Sequence, residues 1–289
     1  NLIDTDGFNA CKGSLGAGCF TVEPDKDGYR DLSASLRGGL RSTTGVDLEF
    51  NALRSEGDSR YDGSFSNESK SVQQVLGSTL RLSPMQAWQM SLAAGQSRDQ
   101  SDSFKDGSFS NRFDTRRDSA TWQNDITVGD NRLLTVGLDR LLDSIESTEV
   151  YGVDSRGNSA LFTQYQSAIK AVDMQVSLRR DDNEQFGKHT TGGLALGADL
   201  NKNLRGTVSF GTAFKAPTFN ELYYPFYGTA TLRPEESRSI EVGVAGKTGN
   251  GHWAVNAYET RSDNLIAYDA SLFAANNLNE ARIHGIEAI

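Results

Sequence analysis

The sequence predicts an all-β protein, a membrane-spanning antiparallel β-barrel, and three observations support that fold class. First, stretches of alternating apolar and polar residues recur along the chain, as in Val46–Ala52. Second, these stretches come in pairs joined by short turns rich in Asn, Gly, Asp and Ser, which suit tight turns. Third, no run of about 18 apolar residues occurs, which excludes a transmembrane helix but leaves a barrel open.

Each alternating stretch gives a strand with one apolar face and one polar face. Strands of about ten residues, paired into hairpins, match a membrane barrel with a wet interior and a lipid-facing outside. We therefore expect Leu48, Phe50, Met174 and Val176 to point away from the interior. A compact soluble domain would instead bury these four side chains together in a dry centre.

The alternating segments predict about thirteen strands, as six hairpins and one further segment that begins near Asn279. The other connections are polar and are predicted to be long loops of roughly ten to twenty residues. Two examples are Arg98–Phe109 and Ser262–Asn277. Because bacterial barrels normally have an even number of strands, the odd count predicts that the chain is an internal fragment of a longer barrel.

Composition and motifs exclude several classes of function. The net charge of -9 argues against nucleic-acid binding, which needs a surplus of Lys and Arg. The three histidines, His189, His252 and His284, are far apart in the sequence and have no nucleophile beside them. No Gly-rich, phosphate-binding loop precedes a helix. We therefore predict no catalytic residues and no enzyme activity.

The two cysteines lie eight residues apart in a Gly-rich segment. This arrangement predicts a disulfide between Cys11 and Cys19 that closes an exposed loop, as oxidising compartments allow. Two free thiols are the alternative. A zinc site is disfavoured because no third and fourth ligand follows at a suitable spacing.

Three motifs occur in an order that is typical of one family. Ser209–Tyr223 contains the Phe-Lys-Ala-Pro sequence at Phe214–Pro217, Leu232–Ser237 contains Leu-Arg-Pro-Glu, and a third motif spans Asn279–Glu287. Together they resemble the TonB-dependent outer-membrane receptors. Two further segments, Arg180–His189 and Ser262–Asp269, resemble the cobalamin-receptor branch of that family. The resemblance covers nearly the whole chain and is weakest from residue 98 to residue 158.

The resemblance implies a plugged barrel of about 22 strands in the bacterial outer membrane. Residues 1–289 would then be part of the barrel domain, without the plug domain and the last strands. It also implies TonB-energised uptake of cobalamin or a related corrinoid. Receptors for an iron chelate or another nutrient share this architecture and are the first alternative. A passive diffusion pore and an outer-membrane enzyme are alternatives of other classes, and the missing catalytic residues disfavour the enzyme.

Cobalamin receptors bind calcium in their extracellular loops, and the resemblance places that role on Asn9, Asp25, Asp27, Asp62 and Glu68, with Tyr61 beside them. Calcium takes six to eight hard oxygen ligands, which carboxylates from two adjacent loops would supply. The sequence departs from the family pattern in two ways. An amide replaces a carboxylate at position 9, and the loop from residue 61 to residue 68 is shorter. Without a metal, these acids would be ordinary solvated loop residues.

An aromatic segment follows the Phe-Lys-Ala-Pro motif and contains Tyr223, Tyr224, Phe226 and Tyr227 around a proline. Aromatic side chains offer a large contact area at a low cost in conformational entropy. We therefore consider these four residues candidates for binding a large planar ligand. Packing between loops, or a place at the membrane interface, is the alternative for the same residues.

Overall fold

The computed structural model describes residues 1–11, 21, 23–249 and 251–289. In this part of the chain, fourteen strands form one sheet in which each strand pairs with its neighbours in chain order. The strands are β1 (Leu2–Thr5), β2 (Tyr29–Arg41), β3 (Val46–Arg60), β4 (Glu68–Met85), β5 (Trp88–Lys105), β6 (Ser108–Thr127), β7 (Arg132–Ser147), β8 (Ser155–Ile169), β9 (Val172–Asn183), β10 (Gly187–Asn201), β11 (Leu204–Lys215), β12 (Glu235–Thr248), β13 (Gly251–Asp269) and β14 (Ala274–Ala288). The predicted all-β fold is confirmed.

The chain divides into two compact units. Unit 1 comprises residues 1–81, 93–120 and 141–156, and unit 2 comprises residues 82–92, 121–140 and 157–289. Within unit 1, β2 and β3 pair antiparallel with Leu40 opposite Leu48. Within unit 2, β9 to β14 pair antiparallel in sequence order, and Val176 lies opposite Leu194. The predicted pairing of alternating stretches into hairpins is therefore confirmed in each unit.

The apolar faces of the strands are exposed, as predicted. Leu48, Phe50 and Val176 expose 41%, 43% and 41% of their surface, and Met174 is half-buried. These residues do not form a dry centre. The buried apolar cluster among the described residues instead consists of Leu222, Leu232 and Ala275.

The strands are longer than the sequence predicts. β6 has 20 residues and β13 has 19, against about ten in the prediction. The long loops predicted at residues 98–109 and 262–277 are wrong, because β5 continues to Lys105 and β13 to Asp269. In the extension of β5 most residues on both faces are polar, whereas in that of β13 the apolar residues Leu265–Tyr268 are consecutive, so the alternation that marks a strand in sequence disappears in each.

A two-residue turn, Asp106–Gly107, closes the hairpin of β5 and β6. Both residues have positive φ, 51° and 75°, which is the requirement of a type I′ turn. Asp and Gly tolerate this left-handed backbone better than other residues. The β5–β6 connection is therefore a tight hairpin where the sequence predicts a long loop.

The longer connections between strands all follow odd-numbered strands. The connections after even-numbered strands from β2 to β12 have two to four residues, and the longer ones, at residues 61–67, 148–154 and 216–234, follow odd-numbered strands. The last of these contains a five-residue helix, α1 (Phe219–Tyr223). Among the described residues, no helix is long and apolar enough to cross a bilayer.

Candidate functional site

The connection between β11 and β12, residues 216–234, is an ordered loop built on α1; we call it the aromatic loop. A capping box starts the helix. Thr218 Oγ1 accepts a hydrogen bond from the Glu221 amide at 3.2 Å, and the Glu221 carboxylate accepts one from the Thr218 amide at 2.6 Å. These two bonds satisfy backbone donors that a helix start otherwise leaves unpaired. The loop thus has a defined conformation at its first turn.

A small apolar core fixes the aromatic loop to neighbouring hairpins. Leu222 of α1, only 1% exposed, packs with Leu232 and with Ala275 of β14. Partly buried side chains surround this cluster: Phe186, Tyr223, Tyr227 and Ile266. Burying a leucine side chain stabilises a fold by roughly 1.5–3 kcal/mol. The loop is consequently held by packing as well as by backbone hydrogen bonds.

The four predicted aromatic residues have different environments. The hydroxyl of Tyr223 accepts a hydrogen bond from Gln185 Nε2 at 2.6 Å, and the ring of Tyr227 stacks on Tyr268 with centroids 6.3 Å apart. Tyr224 caps the C-terminus of α1, where its amide donates a hydrogen bond to the Asn220 carbonyl at 3.1 Å. Tyr223 and Tyr227 therefore take part in packing between loops, which was the alternative interpretation.

Phe226 differs from the three tyrosines because it is fully exposed. Its φ is 61°, in the left-handed region that bulky residues rarely occupy. A fixed loop that carries an exposed aromatic ring in an uncommon backbone conformation is a common feature of binding sites. The structure thus leaves Phe226 as the member of the predicted set that is most available to a ligand.

Unit 1 contains a cluster of three carboxylates that we call the acidic cluster: Glu23, Asp25 and Asp62. One carboxylate oxygen from each lies within 4.8 Å of the others. Asp62 Oδ1 accepts a hydrogen bond from the Glu23 amide at 3.3 Å. Asp62 Oδ2 is buried and has no hydrogen-bond partner among the described residues. A buried, unpaired carboxylate oxygen beside two further carboxylates suits a bound cation.

The other predicted calcium ligands have different roles in the structure. Asp27 Oδ2 accepts a hydrogen bond from the Ala10 amide at 2.8 Å, and Asn9 Oδ1 accepts one from the Cys11 amide at 3.0 Å. Tyr61 shares a hydrogen bond with Ser66, at 2.8 Å between the two hydroxyl oxygens. Glu68 lines a cavity of about 640 Å³ together with Asp25. The structure thus gathers two of the six predicted residues, Asp25 and Asp62, into the cluster.

Glu23 is the cluster member that sequence reasoning missed. It stands two residues before Asp25, separated by a proline, and this spacing of carboxylates was the available signal. Lys105, at the loop end of β5, forms an ion pair with Glu23 and donates a hydrogen bond to the Gly63 carbonyl at 3.0 Å. The Lys105 ammonium holds the pKa of Glu23 below its ordinary value, and Glu23 raises the pKa of Lys105. One positive charge therefore already contacts the edge of the cluster.

The predicted disulfide involves a residue that the structure does not describe. Cys11 is buried, at 8% exposure, but Cys19 lies outside the described residues. The pairing of Cys11 with Cys19 therefore stays a prediction.

The fold defines a class of protein: a transmembrane β-barrel whose strands pair in chain order. Residues 17–288 match the family described as TonB dependent receptor-like, beta-barrel. The chain belongs to this family, which resides in the bacterial outer membrane and comprises receptors and transporters. The family prediction and the predicted localisation are confirmed.

Individual proteins are also similar to this chain in sequence. The vitamin B12 transporter BtuB of Photobacterium profundum is 30% identical over 303 residues, which cover 98% of this chain and 47% of that protein. BtuB of Vibrio vulnificus is 27% identical over 280 residues, covering 92% of this chain and 46% of that protein. The chain thus spans about half the length of the curated relatives it matches.

A solved structure supports the fold. A crystal structure of the ferric enterobactin receptor PfeA from Pseudomonas aeruginosa superposes with a TM-score of 0.81 over 99% of this chain and 53% of that one. At 15% sequence identity, this likeness concerns the architecture alone.

Proposed function

We propose that the intact receptor containing this chain binds cobalamin or a related corrinoid at the outer surface and imports it with energy supplied through TonB. The observation that carries the proposal is the 30% identity with a vitamin B12 transporter across 98% of the chain. The aromatic loop supports it in chemical terms, since a corrinoid is a large, nearly planar molecule. An exposed ring such as Phe226 on a preformed loop offers contact area without the entropic cost of ordering that loop when the ligand binds.

Binding by the intact protein in detergent tests the ligand. We expect cyanocobalamin to bind saturably in equilibrium dialysis and ferric enterobactin to leave that binding unchanged. Competition by the iron chelate, or binding of the chelate alone, would assign the receptor to the other nutrient class of the same architecture.

Uptake by living cells tests the mechanism of transport. Cells that produce the intact protein should accumulate labelled cobalamin only when TonB is present, while surface binding persists without it. Accumulation that does not depend on TonB would instead indicate a passive diffusion pore.

We further propose that the acidic cluster binds calcium. Glu23, Asp25 and Asp62 supply hard carboxylate oxygens, and the unpaired Asp62 Oδ2 would gain a partner. The donor set fits calcium in kind, and further oxygens from loop carbonyls or water would complete the six to eight ligands. The ion would supply positive charge that holds residues 23–25 and the loop at residues 61–67 together.

A further inference from the structure

A row of arginines crosses three neighbouring strands of unit 2. The register of the sheet places Arg238 of β12 opposite Arg261 of β13, and Arg261 opposite Arg282 of β14. Directly opposed residues on adjacent strands have Cβ atoms about 5 Å apart, so like charges at such positions destabilise a sheet. Three arginines in register therefore form a concentrated positive surface, which we call the arginine row.

The arginine row lies on the apolar, outward face of these strands. Because side chains alternate between faces, Arg238 shares its face with Ile240 and Val242, which are 49% and 52% exposed. By the same rule, Arg261 shares its face with the exposed Val255, and Arg282 with Ile286. On β13 and β14, Glu259 and His284 lie between the arginines and these apolar residues, so the row meets the apolar surface directly at Ile240. The row lies on the side toward the aromatic loop and away from the tight turns.

The arginine row is incompletely neutralised. Glu259 contacts both Arg261, at 2.7 Å from Nε, and Arg282, at 2.5 Å from Nη2. Among the described residues, Arg238 has no ion-pair partner and is exposed. The four residues therefore carry three positive charges and one negative charge. In unit 1, by contrast, Arg54 pairs with Glu56 and Arg98 with Asp114, one acid to each arginine.

An acidic row lies next to the arginine row, on the side toward the loops. Glu236 stands opposite Asp263, and Asp263 opposite Glu280. No ion pair at or below 4.0 Å joins the two rows among the described residues. The acidic row repels an anion, whereas the arginine row attracts one. An anion on this face is therefore attracted at the level of the arginine row and repelled nearer the loops.

We propose that the arginine row binds the phosphate groups of a phosphorylated lipid headgroup in the outer leaflet of the outer membrane. A lipid is the occupant that fits both halves of this surface, since its acyl chains would cover Val242, Val255 and Ile286 while its phosphates meet the guanidinium groups. Arginine suits this role because its planar fork matches the geometry of phosphate oxygens. The proposal does not depend on which nutrient the receptor imports.

Native mass spectrometry of the intact protein, released from detergent with added lipid A, tests this proposal. We expect bisphosphorylated lipid A to bind the parent protein, and the triple variant Arg238→Gln, Arg261→Gln, Arg282→Gln to bind it about tenfold or more weakly. The matched control removes three arginines that each have an acidic neighbour, as Arg54→Gln, Arg98→Gln, Arg116→Gln. It should bind as the parent does, and circular dichroism verifies that both triple variants fold.

Two further arms distinguish a lipid from other sources of phosphate. Dephosphorylated lipid A should bind the parent and the arginine-row variant equally weakly, and inorganic phosphate should not displace bisphosphorylated lipid A. The proposal is overturned if the two triple variants lose lipid A to the same extent, if dephosphorylation has no effect, or if inorganic phosphate competes effectively. If the triple variant does not fold, the single variant Arg238→Gln replaces it. This variant breaks no ion pair and should fold, and it should still bind lipid A more weakly than the parent.

Discussion

Gln185 donates a hydrogen bond to the hydroxyl of Tyr223 at 2.6 Å, and this contact joins the turn between β9 and β10 to helix α1. The two residues are 38 positions apart in sequence, so the bond fixes the aromatic loop to a separate hairpin. A loop that is ordered before its ligand arrives does not have to lose that conformational freedom on binding.

Leu222→Ala should loosen the aromatic loop. The side chain is 1% exposed, and its truncation in a packed core costs about 2–5 kcal/mol. Hydrogen exchange of the intact protein should show lower protection over residues 216–234. Leu272→Ala, at a 61% exposed position, is the matched control and should leave that protection unchanged. Equal protection in both variants would show that the small core does not hold the loop.

Phe226→Ala should affect the ligand and not the fold. Its ring is fully exposed, so the melting temperature should stay within the error of the parent value. Loss of an aromatic contact should weaken cobalamin binding about tenfold. Affinity is measured by equilibrium dialysis. The control is Phe65→Ala, which removes another exposed ring, at 91% exposure, and should leave the affinity for cobalamin unchanged. Unchanged affinity in Phe226→Ala would remove this residue from the proposed site.

Calcium should raise the melting temperature of the intact receptor relative to a chelator, because an ion that binds only the folded state stabilises it. Asp62→Asn should abolish that rise, since it removes charge at the buried, unpaired oxygen. Asp130→Asn, in a tight turn of unit 2, removes the same charge from an exposed position and should retain the full rise. Asp25→Ala should act as Asp62→Asn does.

Asp27 separates loop structure from metal binding. Its carboxylate accepts a hydrogen bond from the Ala10 amide at 2.8 Å and is not part of the acidic cluster. Asp27→Ala should therefore lower the melting temperature both with calcium and with a chelator, so that the difference between the two conditions persists. A variant that loses that difference would place Asp27 among the calcium ligands after all.

The ion pair of Glu23 and Lys105 should make stability depend on pH at two limits. Lys105 lowers the pKa of Glu23 below the ordinary 4.5, so the pair stabilises the fold above pH 4.5 and is lost as pH falls through the depressed value. Glu23 raises the pKa of Lys105 above 10.5, so the stabilisation is complete below pH 10.5 and is lost as pH rises through the raised value. Thermal melts with chelator should therefore show Lys105→Met less stable than the parent between these limits. The difference should narrow in acid, where Lys105→Met loses only the hydrogen bond to the Gly63 carbonyl, and a difference that stays constant down to low pH would contradict this account.

The membrane-spanning parts of the strands could be predicted from the sequence because their two faces differ. Leu48 and Phe50 alternate with charged residues, and their outward direction followed directly. The extension of β5 to Lys105 could not be found in this way. Residues 98–105 contain Arg, Asp, Gln and Ser on both faces, so the period-two signal is lost although the backbone ladder continues.

The candidate site was only partly predictable, for a different reason. Helix α1 has five residues, too few for helical periodicity, and the Thr-x-x-Glu capping box at Thr218 and Glu221 was its one sequence signal. The separation of Phe226 from Tyr223 and Tyr227 depends on partners from distant hairpins, namely Gln185 and Tyr268. Such long-range contacts leave no pattern in the local sequence. Glu23 was missed because its contribution depends on Asp62, 39 residues away.

The length of β13 determines how far the aromatic loop lies from the membrane. Nineteen residues extend about 60 Å, and even at the tilt of about 45° that is usual in barrels they rise well beyond a hydrocarbon layer of about 30 Å. The aromatic loop stacks on Tyr268 at the far end of that strand. The aromatic loop therefore lies above the hydrocarbon layer, so the binding that we propose would not require a bulky hydrophilic molecule to approach the lipid tails.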